Sequence, residues 1–330
     1  MSFNRKIEAY VPLMPPRTKY TKERFKECII EIVNLSGQIP VRHKNKDLAF
    51  LEIEAIDLEN EKLISLFEGK DNLDNFILVL KFTTSWELQE KSHQDPFWSF
   101  GYYVTKTIQH LIICLNLVKP AVFDSRDGIL IKTDTLPEKT DVEKEKIPML
   151  CSCLDLALDL GDTYKWPPIR EFEVSFVKDI LENNWSAFEG VSGNRLQRAI
   201  NAFSYIFHDN LHDNSYIDLF YSLIGIEALF VDGKDNVQRQ VDAKSQLLLG
   251  ERSIFKKKFN ELYDFRSRYI HGQLNFTSKY YVGEENSQLH KEKNFDNSCL
   301  GVLILLSSIQ KHLEFGKSEI EFEYRIKEDA

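Results

Sequence analysis

Long apolar runs are missing from this chain. The two longest, at residues 111–118 and 300–309, fall well short of the roughly 20 residues needed to span a bilayer, so no membrane segment is expected. Met1-Ser2-Phe3-Asn4-Arg5-Lys6 leads into no apolar leader, and secretion is not expected. Cysteine is sparse: five residues, at positions 28, 114, 151, 153 and 299, form no Cys-x-x-Cys pair. An odd, scattered set reads as reduced thiols in a cytoplasmic protein, with Cys151 and Cys153 as core packing. The Asn-x-Ser/Thr matches at Asn34, Asn184 and Asn275 are then chance matches.

The common nucleotide and metal fingerprints are missing too. There is no Walker A loop, no Gly-x-Gly-x-x-Gly and no His-Glu-x-x-His. His208 and His212 have the four-residue spacing of paired helical ligands, but Asn210 and Asp213-Asn214-Ser215 mark a helix end there. No third ligand follows, and histidines 43, 93, 110, 290 and 312 form no catalytic pattern, so neither a metal nor a cofactor is expected. An excess of positive charge is also lacking. A net charge of −9 excludes a protein that coats duplex DNA by bulk electrostatics.

Core-forming material is plentiful. At 43% hydrophobic, with 23 Phe and 13 Tyr, the chain has enough apolar mass for about two domains over 330 residues. Residues 1–185 read as a mixed α/β domain. A helix is expected at 22–35, with Phe25, Ile29, Ile32 and Val33 on one side. Strands are expected at 48–56, 76–83, 128–133 and 169–177, and a long helix at 96–118. Pro137 to Pro148 brackets a run of alternating charges that reads as a flexible loop.

Residues 186–330 read as a bundle of helices with short connections. Asn194 has the chemistry of an N-cap for a helix reaching about Asp209. Further helices are expected at 216–231, 237–249 and 254–271, with a last, mostly apolar one at 295–315 stopped by Gly316. In the tail, Ile320, Phe322, Tyr324 and Ile326 alternate with charge, predicting a C-terminal strand that returns to the N-terminal sheet. The fold class expected is therefore α+β, a mixed α/β domain followed by an all-α bundle.

One feature of the bundle breaks the pattern of a packing helix. Within Tyr263-Asp-Phe-Arg-Ser-Arg-Tyr-Ile-His-Gly272, Arg266 shares a helix face with Phe255, Phe259, Leu262 and Ile270, all within about 40° of it on a helical wheel. Lys257, Asp264 and Arg268 fall opposite. A permanently charged guanidinium on a core-facing side is expensive unless it has a partner or a task. Upstream, the almost wholly apolar helix at 216–231 carries one carboxylate, Glu227, on the side of Tyr216, Phe220, Leu223 and Ile224. Two readings stay open: a structural Glu227–Arg266 pair, or part of a reactive site with His271. That histidine precedes Gly272, which reads as the C′ glycine of the helix. The helix dipole favours its protonated form there, and its titration range suits proton transfer. Between Glu251 and His271, six Lys/Arg (252, 256, 257, 258, 266 and 268) face three acids (251, 261 and 264), a basic strip on an acidic body. The three lysines also suit a plain solvated face.

These residues resemble the HEPN superfamily, helical domains whose catalytic members carry Arg, four to six residues, then His. Leu223-Ile-Gly-Ile-Glu-Ala-Leu-Phe230, a polar linker, then Leu262-Tyr263 through His271-Gly272 is most similar to the ApeA-like branch, over residues 186–330. The resemblance implies a metal-independent endoribonuclease, dimeric, acting in phage defence (abortive infection) or as a toxin. It places Arg266, His271 and Glu227 as the catalytic set, with Tyr263 and Ser267 supporting. Lys256, Lys257, Lys258 and Arg268 are then expected to bind the RNA backbone. It implies an RNA substrate, a homodimer through the helical bundle, and an antitoxin or trigger at the N-terminal domain. The family also has members that only bind RNA, a nucleotide or a protein partner, so a non-catalytic dimerising module is the alternative.

Overall fold

A computed structural model describes residues 3–13, 22–43, 46–56, 66–67, 78–88, 97–123, 128–135, 140–147, 153–208, 215–252, 256–273 and 285–323. Among these residues the fold is α+β, and the chain divides into two compact units. The first comprises Met1–Asp155, Glu171–Asn183 and Phe207–Leu211. The second comprises Leu156–Arg170, Asn184–Ile206 and His212–Ala330.

The first unit is built on a six-stranded antiparallel sheet: β1 (Phe3–Leu13), β2 (Ile39–His43), β3 (Lys46–Ile56), β4 (Leu78–Leu88), β5 (Gly128–Thr135) and β6 (Thr140–Ile147). Their spatial order is β2-β3-β4-β1-β5-β6. No strand was read from sequence at 3–13, yet β1 is central, paired with both β4 and β5. Its Ile7, Ala9, Val11 and Leu13 are buried at the period-2 spacing of a strand face. Helix α1 (Lys22–Val33) buries Phe25, Cys28, Ile29 and Ile32 at helical spacing. Helix α2 (Phe97–Val118) is buried on every side from residue 107 onward, as an apolar helix must be. Gly101 on α2 leaves room for the Lys132 side chain of β5: a Cβ there would lie 2.6 Å from Lys132 Cε, which would have to shift.

Two sequence expectations fail in informative ways. The charged run after Pro137 is not a loop over 140–147 but the edge strand β6. Its side chains 142–146 are all exposed, so the alternation of charge carries no hydrophobic signature. What holds it is the ladder to β5 and the buried Lys132, whose Nζ lies 2.6 Å from Glu145 and 3.7 Å from Glu143. Charged residues on an edge strand also discourage further pairing. The strand expected at 169–177 is absent. Backbone groups of Arg170 bond instead to the Gln310 side chain, which donates to Arg170 O at 2.8 Å and accepts from Arg170 N at 2.9 Å. From Phe176 the chain is helical.

Helices α3 (Leu154–Tyr164), α4 (Phe176–Glu189), α5 (Arg195–Ser204), α6 (Ser215–Phe230), α7 (Val237–Leu249), α8 (Lys256–Ile270) and α9 (Glu285–Phe315) complete the described elements. The division between units falls within α4 at Asn184, where the backbone leaves helical values (φ −124°, ψ 21°). In the second unit Asn194 caps α5 as its chemistry predicts, its side chain accepting from Gln197 N at 2.8 Å. Helix α5 ends at Ser204, five residues earlier than expected. Helix α9 is buried throughout 297–310 and packs mainly on α6. Gly316 ends it in the left-handed region (φ 61°). Over 319–323 the tail forms no strand. It lies along the helices instead: Ser318 O accepts from Leu196 N at 3.1 Å, and the Phe322 ring packs on Phe230 with centroids 6.0 Å apart. Tyr324 and Ile326 lie outside the described residues.

Small residues set the α6–α9 approach. A Cβ on Gly225 would meet Leu305 Cδ1 at 2.6 Å, with Ala202 Cβ at 3.1 Å closing the other side. Gly301 of α9 likewise faces Ser222 Cβ at 3.2 Å. Inserting a branched side chain here overpacks the joint, which typically costs about 1–3 kcal/mol. Gly225→Val is therefore expected to lower unfolding free energy in urea titration by about that amount. A variant as stable as the parent protein would contradict the tight joint.

Candidate functional site

Helices α6 and α8 meet along a shallow cleft lined by Tyr216, Leu219, Phe220, Leu223, Ile224, Glu227, Phe265, Arg266, Tyr269 and Ile270. The face of α8 expected to carry Arg266 among apolar residues forms as read: Phe259 and Leu262 are fully buried, while Asp264 and Arg268 are exposed opposite. Ile270, at the helix end, is exposed, and the Phe255 side chain lies outside the described residues. Three aromatic rings, Tyr216, Phe265 and Tyr269, lie nearly parallel with centroids 5.7–6.1 Å apart.

Glu227 and Arg266 form an ion pair in this cleft. Arg266 Nη2 donates to Glu227 Oε2 at 2.8 Å, and Nε lies 2.7 Å from Oε1. Their side chains remain 29% and 21% exposed, so the pair is half-buried rather than sealed. Burial raises the Glu227 carboxyl above its usual range, and the Arg266 guanidinium opposes that rise without cancelling it. The contact engages the Nε–Nη2 edge of the guanidinium. The Nη1–Nη2 end stays geometrically distinct and is the edge that can fork onto a second anion.

Tyr263 sits one turn before Arg266 and is 4% exposed. Its hydroxyl has no hydrogen-bond partner among the described residues. Burial and the nearby Glu227 carboxylate push its phenol well above the ordinary range. His271 is the C-cap of α8 and is exposed. Its N–H donates to Ser267 O at 3.1 Å, Gly272 N–H to Tyr269 O at 3.2 Å and Gln273 N–H to Arg268 O at 2.8 Å. The last two bonds, with Gly272 at φ 66°, make a Schellman turn. Five residues carry His271 about 140° round the helix from Arg266, and it does not line the cleft. Ser267 is exposed and contributes only its carbonyl here.

The basic strip is partly neutralised. Lys258 lies 3.3 Å from Asp296, and Arg268 lies 3.9 Å from Asp264. Lys257 is exposed, and the Lys256 side chain lies outside the described residues. His208 follows α5 rather than lying on it, and His212 is outside the described residues. Among the described residues no group of three His, Cys, Asp or Glu could hold a metal, and no helix is long and apolar enough to cross a membrane.

Sequence reading counted Arg252 only within the basic strip. In the structure its side chain is 1% exposed and ion-paired with Asp242 of α7. The guanidinium carbon lies 3.8 Å from the Phe259 ring centroid and 5.2 Å from that of Trp166. Burial lowers its pKa to about 10. The residue precedes α8 in a connection with no hydrophobic period, so no pattern signals its burial.

Partial exposure of the Glu227–Arg266 pair moderates what its loss should do. Arg266→Ala is expected to destabilise by roughly 1–3 kcal/mol, between the values for exposed and sealed pairs. Glu227→Gln in the same chain should recover part of that loss in a double-mutant cycle read by urea unfolding. Strict additivity of the two changes would mean the contact carries no coupling. No family model, no curated protein and no solved structure matches this chain.

Proposed function

We propose that the helical unit is a HEPN-type endoribonuclease that cleaves RNA without a metal, and that two copies pair across the α6/α8 cleft to build its site. The observation that carries this reading is the clamped arginine. Glu227 occupies the Nε–Nη2 edge of Arg266 and aims the guanidinium from an apolar cleft, while a histidine caps the same helix. In the reaction, the ribose 2′-oxygen attacks its own adjacent phosphate and the 5′-oxygen leaves, giving a cyclic phosphate and a 5′-hydroxyl. Arg266 stabilises charge developing on the phosphate oxygens through its free edge. His271 relays the proton. Lys256, Lys257, Lys258 and Arg268 contact the RNA backbone, and Ser267 supplies a further hydrogen bond.

Pairing of two copies follows from what surrounds the clamp. Ile217, Phe220 and Ile224 lie on α6 at helical spacing and are exposed, as is Ile270 on α8. An exposed apolar strip rimmed by charge suits a self-complementary two-fold contact. Such a contact would bring the His271 of one copy towards the Arg266 of the other, since neither lies beside the other within one chain. The first unit then senses, restrains or positions the nuclease by binding an antitoxin or trigger, in a phage-defence or toxin role within the cytoplasm.

One observation favours the alternative, a non-catalytic module that dimerises and binds RNA, a nucleotide or a protein. Arg266 is already satisfied by Glu227, as a purely structural pair would be. An RNA-cleavage assay in EDTA separates the two readings. The purified protein should cleave in chelator, and His271→Ala should stay folded within about 0.5 kcal/mol, keep its dimeric mass in light scattering and lose cleavage. Cleavage retained by a folded His271→Ala protein would remove this motif from catalysis.

A further inference from the structure

Helix α8 presents a row at i, i+4 and i+7: Phe259, Tyr263 and Arg266. The two ends of the row each meet a charged group contributed from elsewhere. Phe259 holds the Arg252 guanidinium against its ring and lies 5.0 Å from the Tyr263 ring. Arg266 holds Glu227 of α6. Tyr263 lies between the two ends along the helix, four residues after Phe259 and three before Arg266, and its phenol feels the charges of Glu227, Arg266 and Arg252.

Three buried polar atoms on or beside this row make no aligned hydrogen bond among the described residues. They are Arg252 Nη1, the Tyr263 hydroxyl and Glu227 Oε1, whose 2.7 Å approach to Arg266 Nε is an ion-pair contact without hydrogen-bond alignment. Their chemistry is complementary: the guanidinium nitrogen only donates, the phenol accepts once it has donated its own proton, and the carboxylate oxygen only accepts. Buried groups left unsatisfied are costly, and native proteins fill such gaps with ordered water that makes two to four hydrogen bonds.

We propose that Tyr263 is the positioning residue of the Glu227–Arg266 pair, the centre of a buried relay running Asp242–Arg252–Tyr263–Glu227–Arg266. Arg252 donates towards the phenol oxygen and the phenol towards Glu227 Oε1, each through internal water, since none of the three atoms makes a direct hydrogen bond among the described residues. No proton changes owner in this relay. Its effect is geometric and electrostatic: Oε1, which faces Arg266 Nε, is fixed from behind while Oε2 accepts from Arg266 Nη2. The polarity also favours the charged form of Glu227, countering the burial that disfavours it. Arg252, anchored by Asp242 and by Phe259 and Trp166, ties this orientation to the connection between α7 and α8. The relay stands on these contacts alone; only its catalytic consequence rests on the ribonuclease reading.

Tyr263→Phe removes one oxygen and keeps the ring. The Glu227 carboxyl carbon, followed by 13C NMR across a pH titration, should titrate at least half a unit higher in Tyr263→Phe than in the parent chain. The parent chain gives a second reading that needs no variant: a slowly exchanging Tyr263 hydroxyl proton with a cross-peak to the Glu227 side chain or to bound water. In the cleavage assay kcat should fall about tenfold with KM unchanged. An unchanged Glu227 midpoint, or for a variant that does not fold the absence of any protected Tyr263 hydroxyl proton, would overturn the relay. A shifted midpoint in a protein that cleaves no RNA would uphold the relay and reject the ribonuclease reading instead.

Discussion

The half-buried ion pair between Glu227 and Arg266 is the constraint on which the second unit's site depends. An arginine placed among Phe259, Leu262, Phe265 and Tyr269 has no low-energy position unless an anion meets it. Glu227 meets it from α6, and the joint between α6 and α8 is thereby held at one side-chain register. The pair is not sealed from solvent, which matters for function. A sealed pair would be a specificity device only. At 21–29% exposure the outer edge of the guanidinium can still receive a ligand while its inner edge is fixed.

The tight α6–α9 joint does the same service from the opposite side of α6. Gly225, two residues before Glu227, lets Leu305 seat where a side chain would otherwise stand. Glu227 therefore projects from a helix that is immobilised by close packing on one flank and by the ion pair on the other. On the proposed reading, this is the preorganisation that positioning a charged group for phosphate chemistry requires. On the proposed reading the exposed Ile217, Phe220, Ile224 and Ile270 serve the same end, since a second copy covering them would exclude water around the clamp.

The fold and site were legible where hydrophobic period and cap chemistry coincide. Helices α2, α6, α7 and α8 and the Asn194 and Gly272 caps follow directly from spacing and residue type. The pairing of Glu227 with Arg266 was legible because each charge interrupts an otherwise apolar face. Elements without that contrast were missed. Strand β6 is exposed along its described side chains and is held by a ladder and by Lys132, which no local window reveals. Residues 169–177 alternate like a strand but take backbone partners set by tertiary position: Arg170 from Gln310, Phe172 from Val118 and Val174 from Glu31. Arg252 was invisible for a related reason: its burial depends on Trp166, Asp242 and Phe259 converging from three parts of the chain.

The chemistry of the product ends tests the central claim most directly. Incubation of a defined single-stranded RNA with the purified protein in EDTA, followed by mass spectrometry of the fragments, distinguishes attack by the ribose from attack by water. Attack by the 2′-oxygen, held to the phosphate by Arg266 and served by His271, predicts fragments ending in a cyclic phosphate paired with fragments beginning in a 5′-hydroxyl. Fragments bearing a 5′-phosphate and a free 3′-hydroxyl, or cleavage that appears only when a divalent ion is restored, would contradict it.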